Sequence, residues 1–147
     1  MEPPSDTKIF VDSNYFISLF NPVDGNYVGA VALFHALERE HMLLVTSNFV
    51  FAEVVTVLSQ RQNRPSAIVA GSHLQANPRI RIIHIDEALH RTSWQVFQEI
   101  QKKNMSFVDC SILAVMHAEH ITKLLTFDRT DFAPMRQRYH FKFYEEK

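Results

Sequence analysis

The chain has 147 residues, 46% of them hydrophobic and 12% aromatic, with only three Gly and six Pro. That is the size and make-up of one domain around one core, and it excludes a disordered chain or one built on long flexible linkers. A formal net charge of −1, with eight His counted neutral, supplies no general attraction to nucleic acid, so any such contact must come from a local basic stripe. The single Cys110 excludes an internal disulfide, and no apolar run approaches the ~20 residues of a membrane span. Residues 1–7 carry neither a basic cluster nor an apolar segment and read as a loose tail, not a signal peptide, ahead of a single domain over 8–147; a soluble cytoplasmic protein with no membrane partner is expected.

Lys8 to Val11 is β-rich and stops at Asp12-Ser13-Asn14, after which Tyr15 to Phe20 reads as a helix ended by Asn21-Pro22 and Asp24-Gly25. From Tyr27 to Glu40 the apolar positions Tyr27, Val31, Phe34 and Leu37 recur at steps of four and three, an amphipathic helix. Met42 to Thr46 is the next strand. Ser47 or Asn48 caps a long helix to about Gln62, and Pro65-Ser66 opens another to about Ala76, stopped by Asn77-Pro78. Arg79 to Ile85 reads as a strand, Asp86 caps a helix carrying Leu89, Trp94, Val96, Phe97 and Ile100, and Ser106 begins a helix to about Glu119. Ile121 to Thr126 and Phe141 to Tyr144 are the last strands. Strands alternating with helices predict an α/β three-layer sandwich on a central, mainly parallel sheet, with its functional crevice beyond the carboxyl ends of the strands.

Four acids interrupt apolar runs: Asp12 after Ile9-Phe10-Val11, Glu53 within Phe49 to Val55, Asp109 after Phe107-Val108, and Asp128 after Leu124 to Phe127. No Lys or Arg stands beside the first three, and an unpaired carboxylate taken from water costs several kcal/mol or neutralises itself. Ordinary capping accounts for three of them: Asp12 suits an N-cap, Ser106 and Asp109 suit a capping box, and Asp128 suits a turn with Thr130. Glu53 lies beyond the first turn of its helix, where no cap explains it, and a buried ion pair with a distant Arg is its alternative. Together the four form an acid set with no matching basic set. Such hard oxygen donors suit Mg²⁺ or Mn²⁺, which substrate phosphates commonly complete.

The order Phe10-Val11-Asp12-Ser13, Phe51-Ala52-Glu53-Val54, Phe107-Val108-Asp109-Cys110 and Leu125-Thr126-Phe127-Asp128 resembles the PIN-domain family, especially its toxin-type VapC ribonucleases, from about Ile9 to Tyr144. The resemblance implies a PIN-like nuclease fold, Asp12, Glu53, Asp109 and Asp128 holding one or two Mg²⁺ or Mn²⁺ ions, and hydrolysis of an RNA phosphodiester. It also implies a homodimer and a cognate antitoxin. Relatives commonly place another acid two residues after the fourth, whereas here Arg129 and Thr130 precede Asp131. Ser13, Asn14 and Thr126 are placed to orient a carboxylate, water or phosphate, and Arg61, Arg64 and Arg129 are candidate RNA contacts. The competing reading is a metal-binding module of this fold with little catalysis. A phospho-acceptor receiver domain fits less well, because Ser13 and Asn14 follow Asp12 where such domains place acids. His117 and His120 read as groups complementing a helix C-terminus, Cys110 as a small buried residue, the Phe positions and Trp94 as core, and Tyr15 or Phe20 as candidate base-stacking rings near the rim.

Overall fold

The structure is a computed structural model that describes residues 7–144. Its strands are β1 (Lys8–Val11), β2 (Leu43–Ser47), β3 (Ile80–Ile83), β4 (Lys123–Leu125) and β5 (Lys142–Phe143). Its helices are α1 (Ser13–Leu19), α2 (Tyr27–Arg39), α3 (Asn48–Arg61), α4 (Arg64–Ala76), α5 (Glu87–Glu99), α6 (Phe107–Ala118), α7 (Arg129–Phe132) and α8 (Arg136–Tyr139), with a 3₁₀ turn at Ala133–Met135 between the last two. Apart from Thr7, the predicted tail lies outside the described residues.

The five strands form one sheet in the order β3-β2-β1-β4-β5, and every neighbouring pair is parallel. Parallel neighbours need crossovers, and crossovers are right-handed, so the direction of travel decides which face each helix covers. The chain moves one way from β1 to β3 and then returns past β1 to β4 and β5. Helices α1 to α4 therefore cover one face, and α5 to α8 cover the other. Between β1 and β4 the direction reverses, opening the crevice at the carboxyl ends of these two strands. Both central strands are apolar on both faces, as two-sided cover demands: Ile9, Phe10, Val11, Leu124 and Leu125 are all buried.

The ends of the elements carry local explanations. Asp12, Ser47, Asn63, Asp86 and Ser106 each cap a helix by accepting a bond from its first-turn amides. Three helix-to-strand connections share one device: His41, His120 and His140 stand at φ of 55°, 56° and 55°. The residues that follow, Met42, Ile121 and Phe141, are buried and return their amides to the carbonyls of Leu37, Met116 and Arg136. These are left-handed helix stops in which His occupies the position usually given to Gly. His120 is thus a helix terminator, while His117 lies exposed in the last turn of α6. At the opposite end of the sheet, buried Lys8 donates its Nζ to the carbonyl of Glu119 at 2.8 Å, placing a cation on the C-terminus of α6.

Several predicted limits shift. Helix α1 begins at Ser13, two residues before the predicted Tyr15, because Asp12 caps it directly. Strand β3 ends at Ile83, since the amide of Ile85 bonds Asn48 Oδ1 at 2.8 Å instead of continuing the ladder. Strand β4 is three residues, because Ile121 belongs to the stop of α6 and Thr126 turns into the site. The short helices α7 and α8 were not expected.

Candidate active site

Asp12 occupies the switch point. It extends the β1–β4 ladder by donating its amide to Leu125 O at 3.0 Å, and its side chain is only 4% exposed. Its Oδ1 accepts the amide of Ser13 at 2.7 Å, and its Oδ2 accepts the hydroxyl of Thr126 at 2.9 Å. Thr126 is held in turn: its Oγ1 accepts from Asn14 Nδ2 at 3.1 Å and from the amide of Asp128 at 3.0 Å, while Asn14 Oδ1 accepts the amide of Phe127 at 3.0 Å. Ser13, Asn14 and Thr126 therefore tie the ends of β1 and β4 together around the Asp12 carboxylate.

The remaining acids arrive from three other elements. Glu53 comes from the second turn of α3 and accepts the hydroxyl of Ser13, which also lies 3.5 Å from Asp12 Oδ1. Asp109 stands in the first turn of α6, where its Oδ2 accepts the amide of Ser106 at 3.0 Å and its own amide bonds Ser106 Oγ at 3.1 Å. The capping box is therefore real, and it coexists with a place at the site. Asp128 follows β4, and Asp131 in α7 lies near enough to raise its carboxyl. Only Asp12 is buried; Asp109 and Asp128 are half-buried, and Glu53 is exposed. Glu53 is thus no buried acid in need of a distant Arg, because α3 buries Val50, Val54 and Leu58 and turns Glu53 outward to the rim.

The acids act on one another electrostatically. Burial raises the Asp12 carboxyl from its ordinary 3.8 to about 7, against the pull of the Thr126 and Ser13 hydrogen bonds and with the help of Asp109 and Glu53. Burial also raises Asp109, opposed by its two bonds to Ser106 and assisted by Glu53 and Asp131. Asp128 is raised by burial first, then by Asp131 and Asp109, and lowered by Lys102. Lys102 is the cation that the sequence did not flag. It lies in the loop after α5 and reaches Asp131 Oδ1 at 3.7 Å and the carbonyls of Thr130 and Asp131 at 3.3 Å.

This donor set suits a hard divalent ion: carboxylates from five positions repel one another, and one lysine among the described residues answers them. Among the described residues no three acidic, His or Cys side chains stand together as a ligand group, and Asp12, Glu53 and Asp109 instead accept hydrogen bonds from Ser13, Thr126 and Ser106. Binding would exchange some of these hydrogen bonds for ligation, and exposed Glu53 has the longest reach.

Other candidates fall elsewhere. Arg61 and Arg64 are exposed at the far end of α3 and the start of α4, and Arg61 lies roughly 12 Å along the α3 axis from Glu53. Arg129 is engaged by its own neighbourhood, donating to Tyr144 O at 3.1 Å and lying 5.3 Å above the Phe143 ring. Tyr15 is no stacking surface: it is fully buried, with its hydroxyl on Ala30 O at 2.7 Å. The Cys110 thiol is buried and raised to about 11 by burial and by Asp109, which makes it inert.

The PIN domain family model matches residues 9–136. The 23S rRNA-specific endonuclease VapC20 of Mycobacterium tuberculosis is 28% identical over 120 residues, covering 82% of this chain and 88% of the relative. The crystal structure of that protein, described as a sarcin-ricin loop cleaving toxin, superposes with a TM-score of 0.77 at 27% identity over 86% of this chain and 93% of its own. FitAcB from Neisseria gonorrhoeae shares the fold at a TM-score of 0.66 and 20% identity, over 93% and 96% of the two chains. A toxin-antitoxin complex from Klebsiella pneumoniae does so at 0.60 and 23%, over 85% and 90%.

Proposed function

The chain belongs to the PIN domain family, and from that membership and the acidic rim we propose that it is a divalent-metal-dependent endoribonuclease, the toxin of a toxin-antitoxin pair. The observation that carries this reading is the convergence of Asp12, Glu53, Asp109, Asp128 and Asp131 on the β1–β4 switch point, where their mutual repulsion lacks an adequate protein counter-charge. The similarity to an endonuclease acting on rRNA supports RNA as the substrate, and the toxins among its relatives support an antitoxin partner.

Asp12, Glu53, Asp109 and Asp128 are assigned as ligands of Mg²⁺ or Mn²⁺, with Asp131 sharing the place of Asp128. Such an ion, when bound, supplies activation of water and neutralisation of charge on the phosphate. The chain's own contribution is placement. The Thr126 hydroxyl and the Ser13 amide fix both oxygens of Asp12, Ser13 couples Asp12 to Glu53, and Asn14 locks the turn that carries Asp128. The Ser106 box fixes Asp109 on the rigid start of α6. Lys102 offsets part of the charge at Asp128 and Asp131.

The test is incubation of purified protein with RNA in Mg²⁺ or Mn²⁺ and in EDTA. Endonucleolytic cutting that EDTA stops is the expected result. A metal-induced rise in melting temperature without any cutting would instead identify a metal-binding interaction module. Replacing Arg61 and Arg64 together is expected to weaken RNA binding and to flatten the plot of log affinity against log salt by roughly 1.4 units for a single strand, each arginine having neutralised one backbone phosphate. An unchanged slope would take that pair out of the RNA path.

A further inference from the structure

Lys102 is not placed as a surface lysine. Its side chain, in the loop between α5 and α6, is only 29% exposed, and its ammonium has three N–H donors to satisfy. Three oxygens of α7 meet it: the carbonyls of Thr130 and Asp131, each at 3.3 Å, and Asp131 Oδ1 at 3.7 Å. The Thr130 carbonyl is open to it because the residue four further on is Pro134, which has no N–H to return. Two main-chain carbonyls and a carboxylate are the hard oxygen set that a divalent ion also seeks. The five site acids therefore divide into two groups. Asp131, with Asp128 beside it, has a cation of the chain's own. Asp12, Glu53 and Asp109 accept only from Ser13, Thr126 and Ser106, which bring no charge, and among the described residues none of the three pairs with a Lys or Arg.

We propose that Lys102 holds the place of a second metal ion, so that the chain loads one divalent ion, on the side of Asp12, Glu53 and Asp109, and supplies the other positive centre as its own ammonium. The proposal rests on the metal-dependent reading above and adds the number of ions to it. Within that assignment Asp128 belongs to the ion, and Asp131 serves Lys102. A second Mg²⁺ or Mn²⁺ at Asp128 and Asp131 would have to expel the ammonium from three oxygens or lie against it, and like charges about 4 Å apart repel strongly even near a protein surface.

Mn²⁺ allows the ions to be counted directly, because free and bound Mn²⁺ differ in their electron paramagnetic resonance signal. The full-length protein, stripped with EDTA and desalted, is titrated with Mn²⁺ as wild type, Lys102→Met, Lys102→Arg and Lys103→Met, and RNA cutting is followed over the same Mn²⁺ series. Lys103 is exposed and next in sequence, so Lys103→Met removes a neighbouring charge and none of the bonds to α7. Expected are one ion per chain in the wild type, Lys103→Met and Lys102→Arg, and two in Lys102→Met, the second bound at least about tenfold more tightly than any second ion of the wild type. A wild type that takes two ions of similar affinity, a Lys102→Met protein that still takes one, or a second ion gained equally by Lys103→Met overturns the proposal, while RNA cutting by the same wild type leaves the ribonuclease standing. A wild type that binds no Mn²⁺ removes the metal site, and the proposal falls with it. One bound ion in the wild type and two in Lys102→Met, without any cutting, uphold the count and remove the ribonuclease reading. Should Lys102→Met fail to fold, Lys102→Gln, which keeps donors for the α7 carbonyls and loses the charge, takes its place in the count.

Discussion

Asp109→Asn is expected to lower RNA cutting by at least about a hundredfold while leaving the protein folded. The two halves of that outcome have separate causes. An asparagine at 109 keeps a side-chain oxygen that can accept the Ser106 amide, and its own amide still bonds Ser106 Oγ, so the capping box at the start of α6 survives. What disappears is a negative charge in a place that disfavours it, since burial and the nearby Glu53 and Asp131 all raise the Asp109 carboxyl. The melting temperature in EDTA near pH 8 should therefore hold or rise, and the metal-induced increase should shrink. Wild-type cutting by a purified, folded Asp109→Asn protein would defeat the assignment of the site.

That one residue serves both as a helix cap and as a site acid explains why the sequence was informative in some places and mute in others. Caps are local: Asp12, Ser47, Asp86 and Ser106 could be placed because each needs only the next few residues, and the strand-helix alternation then implied a mainly parallel sheet, while its strand order came only from the structure. Glu53 was singled out for a mistaken reason. Its apolar surroundings suggested burial, but α3 is gripped on two sides, with Val50, Val54 and Leu58 toward the core and Phe51 and Val55 against Gly71 of α4, so the run looks apolar all round while Glu53 still faces the rim. Residues whose meaning depends on distant partners were missed or given another role. Lys102 gains its role only when α7 is folded against it, Arg129 is claimed by β5, and half-exposed Trp94 repeats with helical spacing whether or not anything covers it. The His stops at 41, 120 and 140 were masked because Gly is the usual signal for that conformation.

Asp12 leads to the second large effect, which concerns stability and pH. Its carboxyl titrates near 7 in the folded chain and near 3.8 when unfolded, so between those values the folded state binds the extra proton. Stability contributed by the neutral form is complete below about pH 4 and is lost as pH rises to about 7, on the order of 4 kcal/mol for this one group. Asp109 and Asp128, also raised, push in the same direction. In EDTA the wild type should therefore lose melting temperature from pH 4.5 to 7.5 relative to Asp12→Asn, whose side chain stays neutral throughout. Saturating Mg²⁺ or Mn²⁺ should reverse that order above pH 7, because ligation needs the deprotonated carboxylate and only the wild type offers it. Cutting should accordingly rise with pH from 6 to 8, in parallel with the metal-induced stabilisation. Should the metal-free wild type and Asp12→Asn follow the same curve across this range, the charge held between β1 and β4 is not the strained one, and the reason for a cation at this crevice disappears.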